Sequence, residues 1–195
     1  MSSTDTNLYN SNLENEFIAI VDNDAWMIEV LRVVKSLNLN DWWIGAGFVR
    51  NKIWDVNHGN KRTELNDIDV IHFDPSNSTE AYDLELENKL KKLHPNLKWS
   101  IKNQSRMHLR NEHLPYINCH HAISFWPETA TAVAVKLNSN DQIEYIAPYG
   151  LHDLFNLIVK PTPNFDLEVY NARIEKKQWK KTWGKLDIRT DWSEL

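Results

Sequence analysis

The strongest constraint on the fold lies in residues 45–70, GAGFVRNKIWDVNHGNKRTELNDIDV. The β-prone run Trp42-Trp43-Ile44 enters it and stops at Gly45-Ala46-Gly47, which suits a buried strand ending in a tight turn. Phe48, Val49, Ile53, Trp54 and Val56 then permit a helix, and HGNKRTELN, poor in apolar residues, reads as an exposed loop. IDVIHF follows, β-branched and aromatic on both alternating faces, as a central strand covered on both sides would be. The glycine turn and the pair Asp67/Asp69 thus bound one segment, as two ends of one site or as an unrelated turn and strand.

The flanking sequence alternates helices and strands. Asp24 can cap a helix whose apolar positions Trp26, Met27, Val30, Leu31, Val34 and Leu37 keep helical spacing. After the turn-like DPSN, Tyr82, Leu86, Leu90 and Leu93 mark a helix ended by Pro95, and residues 97–101 read as a strand. NCHHAISFWPE reads as a short helix broken at Pro127, and TATAVAVKL, NSND and QIEYIA as a β-hairpin. GLHDLFNLIV predicts a helix stopped before Pro161, and Val169, Tyr170, Ile174 and Trp179, amid many charges, a surface helix. Residues 1–12 are polar and expected to be a flexible N-terminus; 13–195 read as one domain with no repeat or linker.

Composition narrows the function classes. At 195 residues, one core can carry polar groups at its edge, and a hydrophobic content of 42% with 25% charge argues against disorder. No apolar run nears the roughly 20 residues that span a bilayer, and the start lacks a basic-then-apolar secretory pattern, so a cytoplasmic protein without membrane contact is expected. A single cysteine, Cys119, excludes an intramolecular disulfide or a thiolate cluster. The net charge of −5 argues against broad binding to a nucleic-acid backbone, although a local basic cluster can still meet phosphates. Nine tryptophans, scattered without a repeat, read mostly as packing.

Asp67-Ile68-Asp69 carries the chemistry. Side chains two apart on a strand point the same way, about 7 Å apart at the backbone. Two carboxylates so placed beside an apolar strand have raised pKa values unless a cation neutralises them, and Mg²⁺ shared with substrate phosphates is the usual solution. Alone, such a pair is more often solvated. The turn ahead of it adds weight, because a strand-to-helix turn presents unpaired N–H groups and a helix dipole to a phosphate, with Arg50 and Lys52 close behind. A dinucleotide site fits poorly, since Arg50 stands where the third glycine of that fingerprint belongs.

Together these residues resemble the polymerase-beta-type nucleotidyltransferase superfamily, which includes the aminoglycoside and lincosamide nucleotidyltransferases, and more closely a bacterial nucleotidyltransferase-like family within it. GAGFVRN, LNDIDVIHFD, KNQSRMH, WPETATAVAV and IAPYGLHDLFNLIVKP carry the resemblance over most of the chain. It implies an α/β (α+β) nucleotidyltransferase fold, a mixed sheet flanked by helices in a single domain. It also implies one or two Mg²⁺ ions on the catalytic carboxylates Asp67 and Asp69, and an NTP on Gly45, Ala46, Gly47, Arg50, Asn51 and Arg106. The reaction implied is transfer of a nucleoside monophosphate to a hydroxyl-bearing acceptor, a small molecule or a macromolecule.

One departure stands out. The superfamily commonly draws a third carboxylate from the neighbouring strand, but here that strand reads LKWSIKNQ and offers Ser100, Lys102 and Asn103. Glu128 or Glu144 could substitute, or the chain could be an inactive nucleotide-binding or interaction module. Lys61 and Arg62 are candidates for phosphate or acceptor, as is the cluster Asn103, Gln104, Arg106 and His108. Asn118-Cys119-His120-His121 is a poor metal site, because adjacent side chains point apart.

Overall fold

The computed structural model describes residues 3–163 and 165–190. Helices α1 (Ser3–Asp22) and α2 (Ala25–Lys35) precede strand β1 (Trp43–Gly45), which turns into α3 (Gly47–His58). Strand β2 (Ile68–His72), helix α4 (Glu80–Leu93), strand β3 (Trp99–Asn103) and the short helices α5 (Gln104–Arg110) and α6 (Cys119–Ile123) follow. Strands β4 (Ala134–Leu137) and β5 (Ile143–Ile146), helix α7 (His152–Phe155), strand β6 (Ile158–Val159), helix α8 (Leu167–Lys177) and strand β7 (Asp187–Ile188) complete the chain.

The main sheet has the order β3-β2-β1-β4-β5, with β2 and β3 parallel and the other pairs antiparallel. Period-2 alternation divides its side chains. Ile44, Val70 and Val135 enter the large core with Phe17, Leu31, Ile53 and Trp54. Trp43, Ile71 and Ala134 face a smaller cluster closed by Cys119 and Ile123 of α6. Asp69 shares that second face with Ile71, so its carboxylate projects where the cover is thinnest.

Local signals read from the sequence hold for the central elements. The Asp24 carboxylate caps α2 by accepting from Met27 N at 3.1 Å. The β4–β5 turn is held by Asn138, whose Oδ1 accepts from the N–H groups of Asn140 and Gln142. Six of the tryptophans are buried, and Trp54 sits edge-on between Trp179 and Trp183 with ring centres 5.4 and 5.1 Å away; Trp192 lies outside the described residues.

Helix α1 begins at Ser3. The polar cluster of Asn103, Gln104, Arg106 and His108 follows β3 as expected and opens α5, which Asn103 caps by accepting from Ser105 N. One segment differs from expectation. The predicted helix GLHDLFNLIV stops at Phe155, because Leu157 takes φ 61° and Ile158–Val159 pairs in parallel with Asp187–Ile188. That pairing satisfies backbone groups that a longer helix would have used internally.

Candidate active site

The turn after β1 is built differently from a glycine-permissive loop. Gly45 is required by close approach: a Cβ there would lie 2.8 Å from Trp126 Cη2 and 3.1 Å from the Ala134 Cβ. Gly47 has only ordinary contact distances around it. The left-handed backbone falls on Ala46, at φ 51° and ψ −123°, and no side chain caps the helix it opens. The N–H groups of the first turn of α3 therefore face outward uncapped, with the positive end of the helix dipole behind them.

They face a cavity of about 220 Å³ that is also lined by Asp67 and Asp69, at the entry of β2. Glycine turn and aspartate pair are thus brought to one place. Arg50 and Asn51 line the same cavity. The Arg50 guanidinium lies 4.4 Å from the Trp179 ring centre and 5.0 Å from that of Trp54, donating to Thr131 Oγ1 and Asn51 Oδ1. Its Nε is buried with no partner among the described residues.

Two cations come from an element read as a plain solvated face. Arg173 and Lys177, one turn apart on α8, line the cavity. Arg173 is fixed from behind by the fully buried Glu128, whose Oε1 accepts from its Nε at 2.5 Å. The only sequence signal was this i, i+4 spacing beside Trp179.

The electrostatics reflect the crowding. Burial, then Asp67, pushes the Asp69 carboxyl up to about 6, against the opposing pull of Arg50, Lys177 and Arg173. Burial lowers the Arg50 guanidinium to about 10, with Glu128 and Asp69 partly restoring it. Burial also lowers Lys177, helped by Arg173 and Arg50. A charge-dense site this far desolvated favours a ligand carrying both signs.

Other candidates are placed elsewhere. Arg106 is not brought to the cavity; it pairs with Asp83 and with Glu80 on α4. Lys52 and Arg62 both bind Asp24, at 2.8 and 2.5 Å, and Arg62 stacks on Trp26. Lys61 is exposed, and His108 packs on Tyr116. Glu144, on β5, pairs with Lys136 of β4, beside a different cavity of about 460 Å³ and roughly 14 Å across the sheet from β2. Cys119 is buried, its N–H and thiol bound to Asp41, while His121 packs on Tyr116 and Phe125.

The register of β2 and β3 sets Ser100 beside Asp69 and Lys102 beside Ile71. Among the described residues no group of three or more His, Cys, Asp or Glu is placed to hold a metal ion. Asp67 and Asp69 share the cavity lining with a third acidic residue, Glu64, from the loop ahead of β2. Asp69, Ala46 and Arg173 also border a second cavity of about 230 Å³, on the side of Lys102 and Trp126.

Comparison with known proteins identifies the family and the fold. The profile of a nucleotidyltransferase family matches residues 32–188. A solution structure described as revealing a CCA-adding enzyme head domain is 35% identical, covering 91% of this chain and 96% of its own, with a TM-score of 0.81. The Thermotoga maritima CCA-adding enzyme complexed with tRNA matches at 17% identity and TM-score 0.56, over 90% of this chain and 42% of that one. A CCA-adding enzyme complexed with CTP matches at 18% and 0.56, over 92% and 43%. The chain spans less than half of these two enzymes, which share its fold. No curated protein matches. No described helix is long and apolar enough to cross a membrane. The match over most of the chain, with the aspartate pair and the helix terminus at one cavity, makes this protein a member of the nucleotidyltransferase family.

Proposed function

We propose that the chain binds a nucleoside triphosphate in the cavity between α3 and β2 and transfers its nucleoside monophosphate to an acceptor hydroxyl. The observation that carries this reading is the meeting of Asp67 and Asp69 with the uncapped start of α3 and with Arg50, Arg173 and Lys177 around one cavity. The carboxylate pair fits a divalent cation such as Mg²⁺: two hard oxygen donors lie on one side, and a desolvated Asp69 gains from a cation. Bound there, a divalent ion would neutralise phosphate charge and polarise the phosphorus.

The chain's own residues supply the rest. The first-turn amides of α3 and the guanidinium of Arg173 hold the phosphate oxygens, and Arg50, stacked and bonded, fixes the wall behind them. The acceptor oxygen bonds to the α-phosphorus as the bond to the β-phosphate bridging oxygen breaks. Pyrophosphate leaves with that electron pair, and the hydroxyl proton passes to water. Positioning and charge stabilisation carry such a transfer.

The acceptor is open to macromolecules. Net charge alone spoke against nucleic acid, yet between residues 173 and 189 seven Lys and Arg face two acids, so the average of −5 hides a basic segment beside the cavity. That the related folds include a complex with tRNA supports keeping a nucleic-acid acceptor in view.

Calorimetric titration with a non-hydrolysable NTP tests the reading: binding should require Mg²⁺, and Asp67→Asn and Asp69→Asn should abolish it while circular dichroism stays unchanged. Wild-type protein that is folded and does not bind would sink it. That β3 sets Ser100 and Lys102, and no acid, beside Asp69 and Ile71 favours a second reading, a nucleotide-binding module without turnover. NTP binding without pyrophosphate release across a broad acceptor screen would select it.

A further inference from the structure

The second cavity carries chemistry that holding an NTP does not use. Lys102 lines it from β3, on the same face as Asp69 and beside Ile71 in the strand register. Where a third acid would have repelled an anion, this chain presents an ammonium. Lys102 Nζ contacts Glu87 Oε1 at 3.3 Å and the Ile101 carbonyl at 2.9 Å, and the side chain stays 40% exposed.

Opposite stands Trp126, half-buried and pinned against the glycine at the end of β1, where even a methyl group would collide with it. A ring held this firmly offers a pre-formed stacking surface. Gln104 and Asn111 complete the wall with amide groups that can both donate and accept. Gln104 Nε2 is engaged by the Lys102 carbonyl and Asn111 Nδ2 by the Tyr116 hydroxyl, which turns their carbonyl oxygens to other partners.

We propose that this cavity is the acceptor subsite and that its acceptor is an anionic alcohol bearing a flat, hydrogen-bonding ring, the chemistry of a nucleotide unit, free or at the end of a strand. Asp69 and Arg173 border both cavities, so the acceptor hydroxyl and the triphosphate meet across them. The inference rests on the reading that the first cavity holds the triphosphate. It disfavours polycationic acceptors, which Lys102 and Arg173 would repel.

The test uses the full chain saturated with Mg²⁺ and a non-hydrolysable NTP, titrated calorimetrically with adenosine 5′-monophosphate, with adenosine, and with a short single-stranded oligoadenylate ending in a free 3′ hydroxyl. Either anionic probe should bind at least tenfold more tightly than adenosine. Lys102→Gln should weaken it at least tenfold with NTP affinity unchanged, and Lys102→Arg should restore it. Tighter binding of the mononucleotide assigns a free acceptor; tighter binding of the oligonucleotide assigns a strand end. NTP binding with no binding of either anionic probe, or with no effect of Lys102→Gln, overturns the inference and leaves the first reading standing. Failure of wild type to bind NTP overturns both.

Discussion

Arg173 and Glu128 form an ion pair that ties α8 to the turn ahead of β4, and the exposed side of the same guanidinium borders both cavities next to Asp69. Glu128 is fully buried, so the pair is a bracket: the carboxylate fixes the arginine, and the arginine presents charge to the site. That arrangement explains why Glu128, a candidate catalytic acid by sequence, lines neither cavity.

Removing either partner should have different consequences. Arg173→Ala leaves a buried carboxylate without its cation and should cost about 3 kcal/mol of stability as well as nucleotide affinity. Glu128→Gln keeps an acceptor for Arg173 but loses the charge, so affinity should fall less than stability. Thermal unfolding and NTP titration of both variants check this; equal loss of affinity in the two would show that Glu128 acts directly on ligand.

Asp69 makes stability depend on pH in the opposite sense to most carboxylates. Its folded-state pKa is raised to about 6 by burial and Asp67. Between the ordinary value near 4 and that value the folded chain holds more protons than the unfolded one, so stability falls as pH rises through this window. In chelator, Asp69→Asn should therefore raise the melting temperature at pH 7.5 and change it little at pH 4. Arg50, Lys177 and Arg173 face the same carboxylate and moderate the effect. Mg²⁺-dependent NTP binding should weaken as pH drops below about 6. Unfolding scans in chelator at the two pH values, wild type against variant, measure the difference.

Ala46 holds a backbone conformation that suits glycine, close to the first central position of a type II′ turn. Strain of this kind costs about 1–3 kcal/mol and concentrates at ligand sites. Ala46→Gly should relieve it by more than the entropy glycine adds to the unfolded chain, a net gain of up to about 1 kcal/mol, or about 2–4 °C in melting temperature. Ala46→Val should lose stability. A lower melting temperature for Ala46→Gly in a calorimetric scan would contradict the assignment of strain.

How much of this was legible before the fold can be traced residue by residue. Asp67 and Asp69 were readable because a strand's period of two puts them on one side whatever lies beyond. The meeting of that pair with the glycine turn followed from the short path through α3 and one loop. Arg173 and Lys177 were not readable, because their place depends on Glu128 and Trp179, contacts made only once α8 has packed. Arg106 went the other way: Asp83, on α4, holds it off the site, and no local pattern links the two. The early end of α7 was hidden because Ile158–Val159 pairs with Asp187–Ile188, a partner strand far along the chain.

Gly45 is the point where fold and site bear on each other most directly. A methyl group there would sit 2.8 Å from Trp126 and 3.1 Å from the Ala134 Cβ, and Ala134 is backbone-paired to Gly45 on the neighbouring strand. The indole is the only one of these neighbours able to move, so Gly45→Ala should push Trp126 outward into the second cavity. The expected cost is about 1–3 kcal/mol, typical of overpacking a close contact. Binding of an acceptor beside Lys102 should suffer more than binding of NTP, because the triphosphate cavity does not include Trp126. Parallel titrations of NTP and adenosine 5′-monophosphate on Gly45→Ala measure this split. An NTP affinity lost as fully as the acceptor affinity, in a variant that remains folded, would place the defect in the turn itself.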